Sequence, residues 1–286
     1  DHPMPTTSTS ASSPLAGLQL AIDSAKSCAC IGIDPVLERI DPSVQGSPTQ
    51  RIEAFSIGVL DAIQGTAKIV KPQSACFERY GSAGYAVLET VIKHAKSLGF
   101  VVILDAKRGD IGSSAAHYAA GAVVMGADYI TCSPYMGRSS IATFLPANLG
   151  VFALCRTSKP DADELQSIHT AYHSTLAIHT AKMITALGEQ VGAVVGATNS
   201  AAETQALRAA MPDAMFLVPG VGAQGGTIRD VKAMCRPSAS SHSELGVVIN
   251  ASRSVLYPGC SNEESWQEAV RNASIDFTNS CATLLD

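Results

Sequence analysis

Eight short apolar runs recur along the chain, separated by loops and by amphipathic stretches of helical length. Runs that are apolar at consecutive positions are typical of parallel strands buried on both faces. Eight such strands alternating with helices favour a closed (β/α)8 barrel, the TIM barrel of the α/β class, over an open doubly wound sheet. The glycine pattern of dinucleotide-binding sheets is also absent from the first turn, at residues 32–35. The predicted strands are residues 29–33, 67–70, 100–104, 129–131, 151–155, 191–197, 215–218 and 246–249.

The length of 286 residues suits a single barrel domain. Eight strand–helix units need roughly 250 residues. Residues 1–13 are rich in Ser, Thr and Pro, and we expect them to form a disordered extension ahead of a domain at 14–286. This extension lacks the charged start and apolar core of a signal peptide. No apolar run approaches the roughly 18 residues of a membrane span. We therefore expect a cytoplasmic protein with no membrane partner.

Composition and charge exclude other classes of protein. Apolar residues make up 46% of the chain and charged residues 16%, which is typical of a globular domain. A formal net charge of −5 argues against a protein that binds nucleic acid electrostatically. The eight cysteines form no CxxC pair, and several lie within apolar runs. We expect buried, reduced thiols rather than a disulfide framework.

Three histidines raise the question of a metal site. His169 and His173 are four residues apart on a predicted helix, and His179 follows. No HExxH motif occurs, and zinc would need a further ligand. A solvated helix face is therefore favoured over a metal centre.

Charged residues stand where three consecutive predicted strands end. Asp34 follows the first strand and Lys71 the second; Asp105 and Lys107 follow the third, with Asp110 in the loop beyond. Barrel enzymes keep their chemistry at the C-terminal ends of the strands. Residues two apart on a strand point to the same side, so Asp105 and Lys107 should both face the barrel mouth. Charges this close shift each other's pKa values, and their alternating signs favour catalysis over a structural ion-pair cluster.

The opposite side of the predicted mouth suits a phosphate. The seventh strand runs into a glycine-rich stretch at residues 219–226, and the eighth runs into residues 250–254. In barrels these two loops commonly hold a phosphate through backbone N–H groups and a helix N-terminus. Glycines let the backbone approach a ligand, and Arg253 adds a guanidinium. The sequence therefore predicts a phosphate ester as substrate.

Seven segments spread over residues 30–257 resemble the orotidine 5′-monophosphate decarboxylase family, in the branch common in some bacteria. The DxKxxD motif at residues 105–110 is shared with sister enzymes, whereas the set as a whole is specific. The resemblance implies a carboxy-lyase that converts orotidine 5′-monophosphate to UMP and CO₂, the last step of de novo pyrimidine synthesis, without metal or organic cofactor. The segments are residues 34–35, 70–78, 104–111, 156–160, 195–198, 219–226 and 252–253.

The resemblance also implies a role for each matching charged residue. Lys107 would deliver a proton to C6 of the pyrimidine, and Asp105 would lie beside the departing carboxylate and hold Lys107. Asp34 and Lys71 would bind ribose hydroxyls and complete the charge array. Asp110 is similar to the aspartate that the family contributes to the neighbouring subunit's site. This implies a homodimer with shared active sites.

The remaining matches concern substrate binding. Ser158 matches the serine that contacts the pyrimidine edge, and Gln224 and Arg253 match the phosphate ligands. Gln224 would lie on a loop that closes over the nucleotide. Ser114 stands in the loop after the DxKxxD motif, where many members have Thr. In some lineages the domain is fused to orotate phosphoribosyltransferase, so such a fused domain is a further candidate partner.

Two alternative functions remain open. A sugar-phosphate decarboxylase or aldolase of the same superfamily shares DxKxxD, but it places a Glu at the end of the second strand as a ligand of Mg²⁺. Lys71 at that point has the wrong charge for a cation site. A non-catalytic barrel that only binds a nucleotide would not need Lys107 beside Asp105, and it would show binding without turnover.

Overall fold

A closed barrel of eight parallel strands forms the centre of the computed structural model, which describes residues 13–222, 225–259 and 264–286. Each strand pairs with the next in parallel, and β8 returns to pair with β1. The predicted TIM barrel is confirmed, and the first strand has its predicted bounds, whereas the third extends further. In chain order, β1 to β8 are Ala29–Ile33, Ile69–Pro72, Val101–Arg108, Tyr129–Cys132, Gly150–Arg156, Val191–Val195, Phe216–Val218 and Val247–Ala251.

Helices surround the barrel and begin where the sequence supplies a capping residue. Ser47 and Ser265 each accept a hydrogen bond from the backbone three residues on, and each forms a reciprocal capping box. None of the described helices is both long and apolar enough to cross a membrane. In chain order, α1 to α12 are Pro14–Ala25, Pro48–Ile63, Ser74–Glu78, Gly81–Ser97, Gly112–Met125, Arg138–Ala142, Asp163–Gln166, Leu176–Thr185, Ala201–Ala210, Ile228–Lys232, Arg253–Leu256 and Trp266–Ala282.

The barrel interior is packed with side chains rather than hollow. The rings of Tyr129 and Phe152, on neighbouring strands, stack with their centroids 5.0 Å apart. A Cβ at Gly150 would lie 2.1 Å from the Tyr129 ring, and one at Gly192 would lie 2.7 Å from the Phe152 ring. Because interiors are close-packed, these two positions admit only glycine beside the aromatic pair. This solid floor closes the barrel below the strand ends that carry the charges.

The cysteines of the described residues are free thiols, five of them buried. Cys30 lies on β1 and Cys155 on β5, and burial raises the pKa of each thiol to about 12. Thiols of this kind behave as small apolar side chains and are chemically inert. All seven described cysteines are thus reduced, as predicted, but Cys76 and Cys235 are only half-buried; Cys260 lies outside the described residues.

The predicted helix through His169 and His173 is wrong. These residues lie in a tight loop. His169 forms an isolated antiparallel β-bridge with Thr175, and His173 has a positive φ of 56°. The Thr170 hydroxyl and N–H both donate to the Ser174 carbonyl, and such local bonds compete with helix formation. The helix begins only at Leu176, so His179 alone is helical. Among the described residues no group of three His, Cys, Asp or Glu could hold a metal ion.

Candidate active site

A cavity of about 510 Å³ opens at the C-terminal ends of the strands. Specific ligand sites in proteins commonly have volumes of roughly 300–1,000 Å³. The cavity collects side chains from the ends of all eight strands or the loops that follow them, so residues far apart in sequence meet. The predicted site residues that line it are Asp34, Lys71, Asp105, Lys107, Ser158 and Arg253.

Lys71, Asp105 and Lys107 form a continuous row of alternating charge. The Lys71 Nζ lies 2.6 Å from Asp105 Oδ2, and the Lys107 Nζ lies 2.6 Å from Asp105 Oδ1. The side chains of Lys71 and Asp105 are only 5% and 7% exposed, whereas that of Lys107 is 48% exposed. Of the two cations in this row, both of which line the cavity, Lys107 is therefore the more accessible to a ligand.

The charged state of the buried pair is stabilised from both sides. Burial alone would raise the pKa of Asp105, but the Lys71 and Lys107 ammonium groups together hold that pKa well below its usual range. Burial alone would lower the pKa of Lys71, but the carboxylates of Asp105 and Asp34 raise that pKa above its ordinary value. At neutral pH Asp105 is thus a carboxylate and Lys71 an ammonium group.

The backbone that carries Lys107 is not a regular strand. The register against β4 shifts between Leu104 and Arg108. Leu104 pairs with Ile130 and Arg108 pairs with Cys132, so an advance of four residues on β3 matches an advance of two on β4. Lys107 adopts the left-handed region at φ 48°, which is costly for a residue with a side chain. The two charged side chains meet as predicted, but a bulge brings them together rather than simple alternation along a strand.

Thr131 on β4 supports this bulge, and the sequence reasoning did not single it out. Its hydroxyl accepts from the Lys107 N–H at 2.9 Å and from the Ala106 N–H at 3.1 Å, and it donates to Asp105 Oδ1 at 2.8 Å. Gln73 was likewise missed as a site residue, and its Nε2 donates to Asp105 Oδ2 at 3.1 Å. A polar residue at the end of an apolar strand is the signal that could have identified Thr131.

Asp34 presents an unused acceptor to the cavity. Its Oδ1 is buried and has no hydrogen-bond partner among the described residues. A buried polar atom without a partner is costly, and native structures contain few of them. The atom is therefore suited to accept a hydroxyl of a bound ligand.

The glycine-rich loop and Arg253 lie together, as predicted. Gly220 and Val221 line the same cavity as Arg253, the first residue of α11. Backbone bonds from Gly222 N to Gly226 O and from Gly226 N to Gly220 O close this loop on itself. Gly220 and Gly222 have φ values of 98° and 78°, which only glycine adopts easily. Gln224 lies outside the described residues.

A third wall of the cavity comes from the loop after β5. Thr157, Ser158 and Lys159 line it, together with Gln166 at the end of α7. The Gln166 Oε1 accepts from the Thr157 N–H at 2.8 Å, and its Nε2 donates to the Thr157 hydroxyl at 3.1 Å. Arg156, buried at the end of β5, donates to Glu203 at 2.6 Å. These bonds fix the polar groups of the loop in place, which a specific binding site needs.

Asp110 and Ser114 do not join the other predicted residues. Neither is among the described residues that line the cavity. Asp110 Oδ1 accepts from the neighbouring Ile111 N–H at 2.7 Å, and Ser114 is the third residue of α5. Both lie after β3, Asp110 in the loop and Ser114 in α5.

Sequence comparison identifies the family. Residues 18–268 match the sequence model of the orotidine 5′-phosphate decarboxylase/HUMPS family, well over half of the chain. The chain belongs to this family. An orotidine 5′-phosphate decarboxylase of Rhodopirellula baltica is 35% identical over an alignment of 296 positions, gaps included, that covers 91% of this chain and 96% of the relative. The resemblance seen in the seven segments is thus confirmed.

Solved structures of the decarboxylase family share the fold. The OMP decarboxylase of Leishmania donovani superimposes with a TM-score of 0.76 at 28% identity, over 95% of this chain and 99% of that one. The UMP synthase of the same organism superimposes with a TM-score of 0.74 at 30% identity. There the match covers 94% of this chain but 56% of the synthase, so in that relative the barrel is part of a longer chain.

Membership in the decarboxylase family makes the chain an enzyme of the carboxy-lyase class, and its site suits such chemistry. The half-exposed Lys107 ammonium is a cation that a ligand in the cavity can contact. Asp105 holds that ammonium from the buried side. Asp34 offers an acceptor for a hydroxyl, and Arg253 offers two parallel donors for an anionic group.

Proposed function

We propose that the chain decarboxylates orotidine 5′-monophosphate to UMP and CO₂, with Lys107 as the proton donor to C6 of the pyrimidine. The observation that carries the proposal is the 2.6 Å contact between the accessible Lys107 ammonium and the buried Asp105 carboxylate. A cation held in this way can meet a developing carbanion without moving far.

The height of the activation barrier for decarboxylation indicates whether Asp105 or Lys107 contributes more to catalysis. Enzymes that act on the slowest reactions must remove about 20 kcal/mol or more. Repulsion between Asp105 and a substrate carboxylate at about 4 Å would supply about 4 kcal/mol at an effective dielectric of 20. Repulsion is therefore a minor contribution, and the larger share falls to Lys107 as a preorganised charge and proton donor.

The rest of the cavity orients the nucleotide in this proposal. The phosphate binds at Arg253 and at the start of the glycine-rich loop, where Gly220 and Val221 line the cavity together with the guanidinium. The ribose hydroxyls face the free oxygen of Asp34 and the Lys71 ammonium. The pyrimidine edge faces Ser158. Binding energy from the remote phosphate is then available to hold C6 against Lys107.

A homodimer with shared active sites completes the proposed charge array. Asp110 and Ser114 lie outside the cavity of their own chain, and exposed apolar side chains occur nearby in the sequence. Ile111, the residue before α5, is 59% exposed, and Val124, near the end of α5, is 70% exposed. Tyr135, in the loop after β4, is 82% exposed. Exposed apolar patches of this kind mark interaction surfaces, and a second copy bound here would bring its Asp110 toward the first chain's mouth.

The choice of nucleotide over sugar phosphate rests on the end of β2. A magnesium-dependent relative needs a carboxylate there, whereas this chain has the buried Lys71 ammonium paired to Asp105. We therefore propose a reaction that proceeds without a metal ion.

The first experiment follows the absorbance of orotidine 5′-monophosphate over time, with EDTA present and no cofactor added. Decay to UMP is the expected result, and it would establish substrate, reaction and metal independence together. No decay but tight UMP binding would favour a nucleotide-binding barrel without turnover. Absence of both decay and binding would overturn the proposal.

A further inference from the structure

A second cavity, of about 400 Å³, lies between α6 and α8, outside the active site. None of its six described lining residues also lines the active-site cavity. Arg138 begins α6, the loop before α8 supplies two residues, and α8 itself supplies three. The lining residues are Arg138, Tyr172, Ser174, His179, Lys182 and Met183.

The charge of this cavity favours an anion. Within the described chain, neither the Arg138 guanidinium nor the Lys182 ammonium has a hydrogen-bond or ion-pair partner, and no carboxylate is among the lining residues. Two cations from separate helices thus face one concavity without a counter-charge. Charge-assisted hydrogen bonds from such groups to phosphate oxygens are roughly twice as strong as neutral ones.

Ser174 provides a second, independent sign of a ligand. Its hydroxyl oxygen is buried in the wall of this cavity, yet it has no hydrogen-bond partner among the described residues. The Ser174 carbonyl, in contrast, accepts from both the N–H and the hydroxyl of Thr170, so the backbone here is well held. The free hydroxyl points to a polar group that a bound molecule would supply.

The aromatic part of the cavity suits a flat ring. The rings of Tyr172 and His179 stack with centroids 5.3 Å apart and planes 9° apart, while Tyr172 remains 74% exposed. The bridge between His169 and Thr175 and the left-handed His173 hold the loop that presents Tyr172. An aromatic ring that is exposed and held in this way can stack with the base of a nucleotide, whatever the identity of that base.

We propose that this cavity binds a nucleotide, with its phosphates on Arg138 and Lys182 and its base on Tyr172. The Ser174 hydroxyl donates to a phosphate or ribose oxygen. The segment between β5 and α8, which includes α7, supplies Thr157 and Ser158 to the active site and Tyr172 and Ser174 to this cavity.

The test measures binding of ATP by calorimetry while saturating UMP occupies the active site. We expect one ATP per chain, and we expect Arg138→Ala with Lys182→Ala to weaken its binding by about tenfold or more. The matched control is Lys68→Ala with Lys93→Ala, which removes the same charge from residues that line neither cavity. ATP affinity should be unchanged in the control.

Ser174→Ala supplies a variant that does not depend on charge. Because its hydroxyl has no partner in the described protein, its removal should leave the melting temperature unchanged and weaken ATP binding severalfold. The proposal is overturned if the wild-type chain does not bind ATP, if the cavity variants bind it as tightly as wild type, or if the control pair loses as much affinity as the cavity pair.

Discussion

The Thr131 hydroxyl joins the Lys107 backbone to the Asp105 carboxylate. It accepts from the Lys107 N–H at 2.9 Å and donates to Asp105 Oδ1 at 2.8 Å, and it is almost fully buried. The same oxygen thus holds the strained turn that carries one charge and the carboxylate that faces it. A residue outside the DxKxxD motif therefore sets the geometry of two residues within it.

Thr131→Val should lower kcat by about tenfold or more with a smaller effect on KM. The isosteric valine leaves two backbone N–H groups and a buried carboxylate without their shared partner, which costs about 1–3 kcal/mol for each unsatisfied group. Steady-state kinetics and urea unfolding measure the two effects. Thr131→Ser keeps the hydroxyl and should restore most of kcat. A valine variant with wild-type kcat would show that Thr131 does not position Lys107.

Lys107→Ala should abolish turnover while UMP binding survives. The substitution removes the accessible ammonium, whereas Lys71 and Arg253 remain in the cavity. Turnover is measured by loss of orotidine 5′-monophosphate, and binding by calorimetry with UMP. A native circular-dichroism spectrum serves as the control for folding. Loss of UMP binding in a folded variant would contradict this division of roles.

Asp105→Asn should make stability depend on pH through Lys71. In the wild-type chain the pKa of Asp105 is lowered, so the stability that this carboxylate contributes is lost only when the pH falls below the usual pKa of an aspartate. The pKa of Lys71 is raised, so the stability that this ammonium contributes is lost only in strong alkali. The pair therefore contributes a constant amount between about pH 5 and about pH 9.

In the Asn variant Lys71 stays buried without its nearest counter-charge, so burial should lower its folded-state pKa below the unfolded value. The unfolded state then binds more protons, and the free energy of unfolding rises with pH. We expect a loss of about 3–5 kcal/mol at about pH 6 that shrinks toward about pH 10. Urea unfolding across this range measures it. A loss that does not change with pH would argue against an uncompensated Lys71.

Arg253→Ala should act mostly on KM. Arg253 lines the cavity with the glycine-rich loop and is not among the hydrogen-bond partners of Lys107 or Asp105 in the described protein, so its loss should remove phosphate binding rather than proton transfer. We expect KM for orotidine 5′-monophosphate to rise about tenfold or more. Orotidine, which lacks the phosphate, is the matched substrate, and its kcat/KM should not differ between variant and wild type. An unchanged KM would place the phosphate elsewhere.

Lys159→Ala should reduce kcat/KM and flatten its dependence on salt, with kcat unchanged. The Lys159 side chain is 74% exposed at the cavity wall, and its contact with Asp161 is 3.4 Å. The protein carries a net charge of −5, yet cations outnumber carboxylates around the cavity, which favours steering of an anionic substrate. Kinetics at several ionic strengths measure the effect. The same salt slope in variant and wild type would exclude Lys159 from steering. The cavity cations are Lys71, Lys107, Lys159 and Arg253, and the carboxylates are Asp34 and Asp105.

The barrel and the charged mouth were predictable from sequence because each depends on local pattern. Consecutive apolar residues mark strands buried on both faces, and a charge that ends such a run has no reason in packing. The bulge at Lys107 was not predictable, because a hydroxyl on the neighbouring strand β4 stabilises it. The loop through His169 and His173 was missed for a similar reason. Its histidine spacing fits a helix, but bonds between Thr170 and Ser174 favour a turn.

Cys30 and Cys155 lie on strands at opposite points of the eight-membered ring, and both thiols are almost inaccessible. A thiol-specific reagent can modify either one only after its part of the barrel has opened. The two modification rates therefore compare the free energies of opening on the two sides of the ring. Equal rates mean that the barrel opens as one cooperative unit, and unequal rates mean that it separates into halves of different stability.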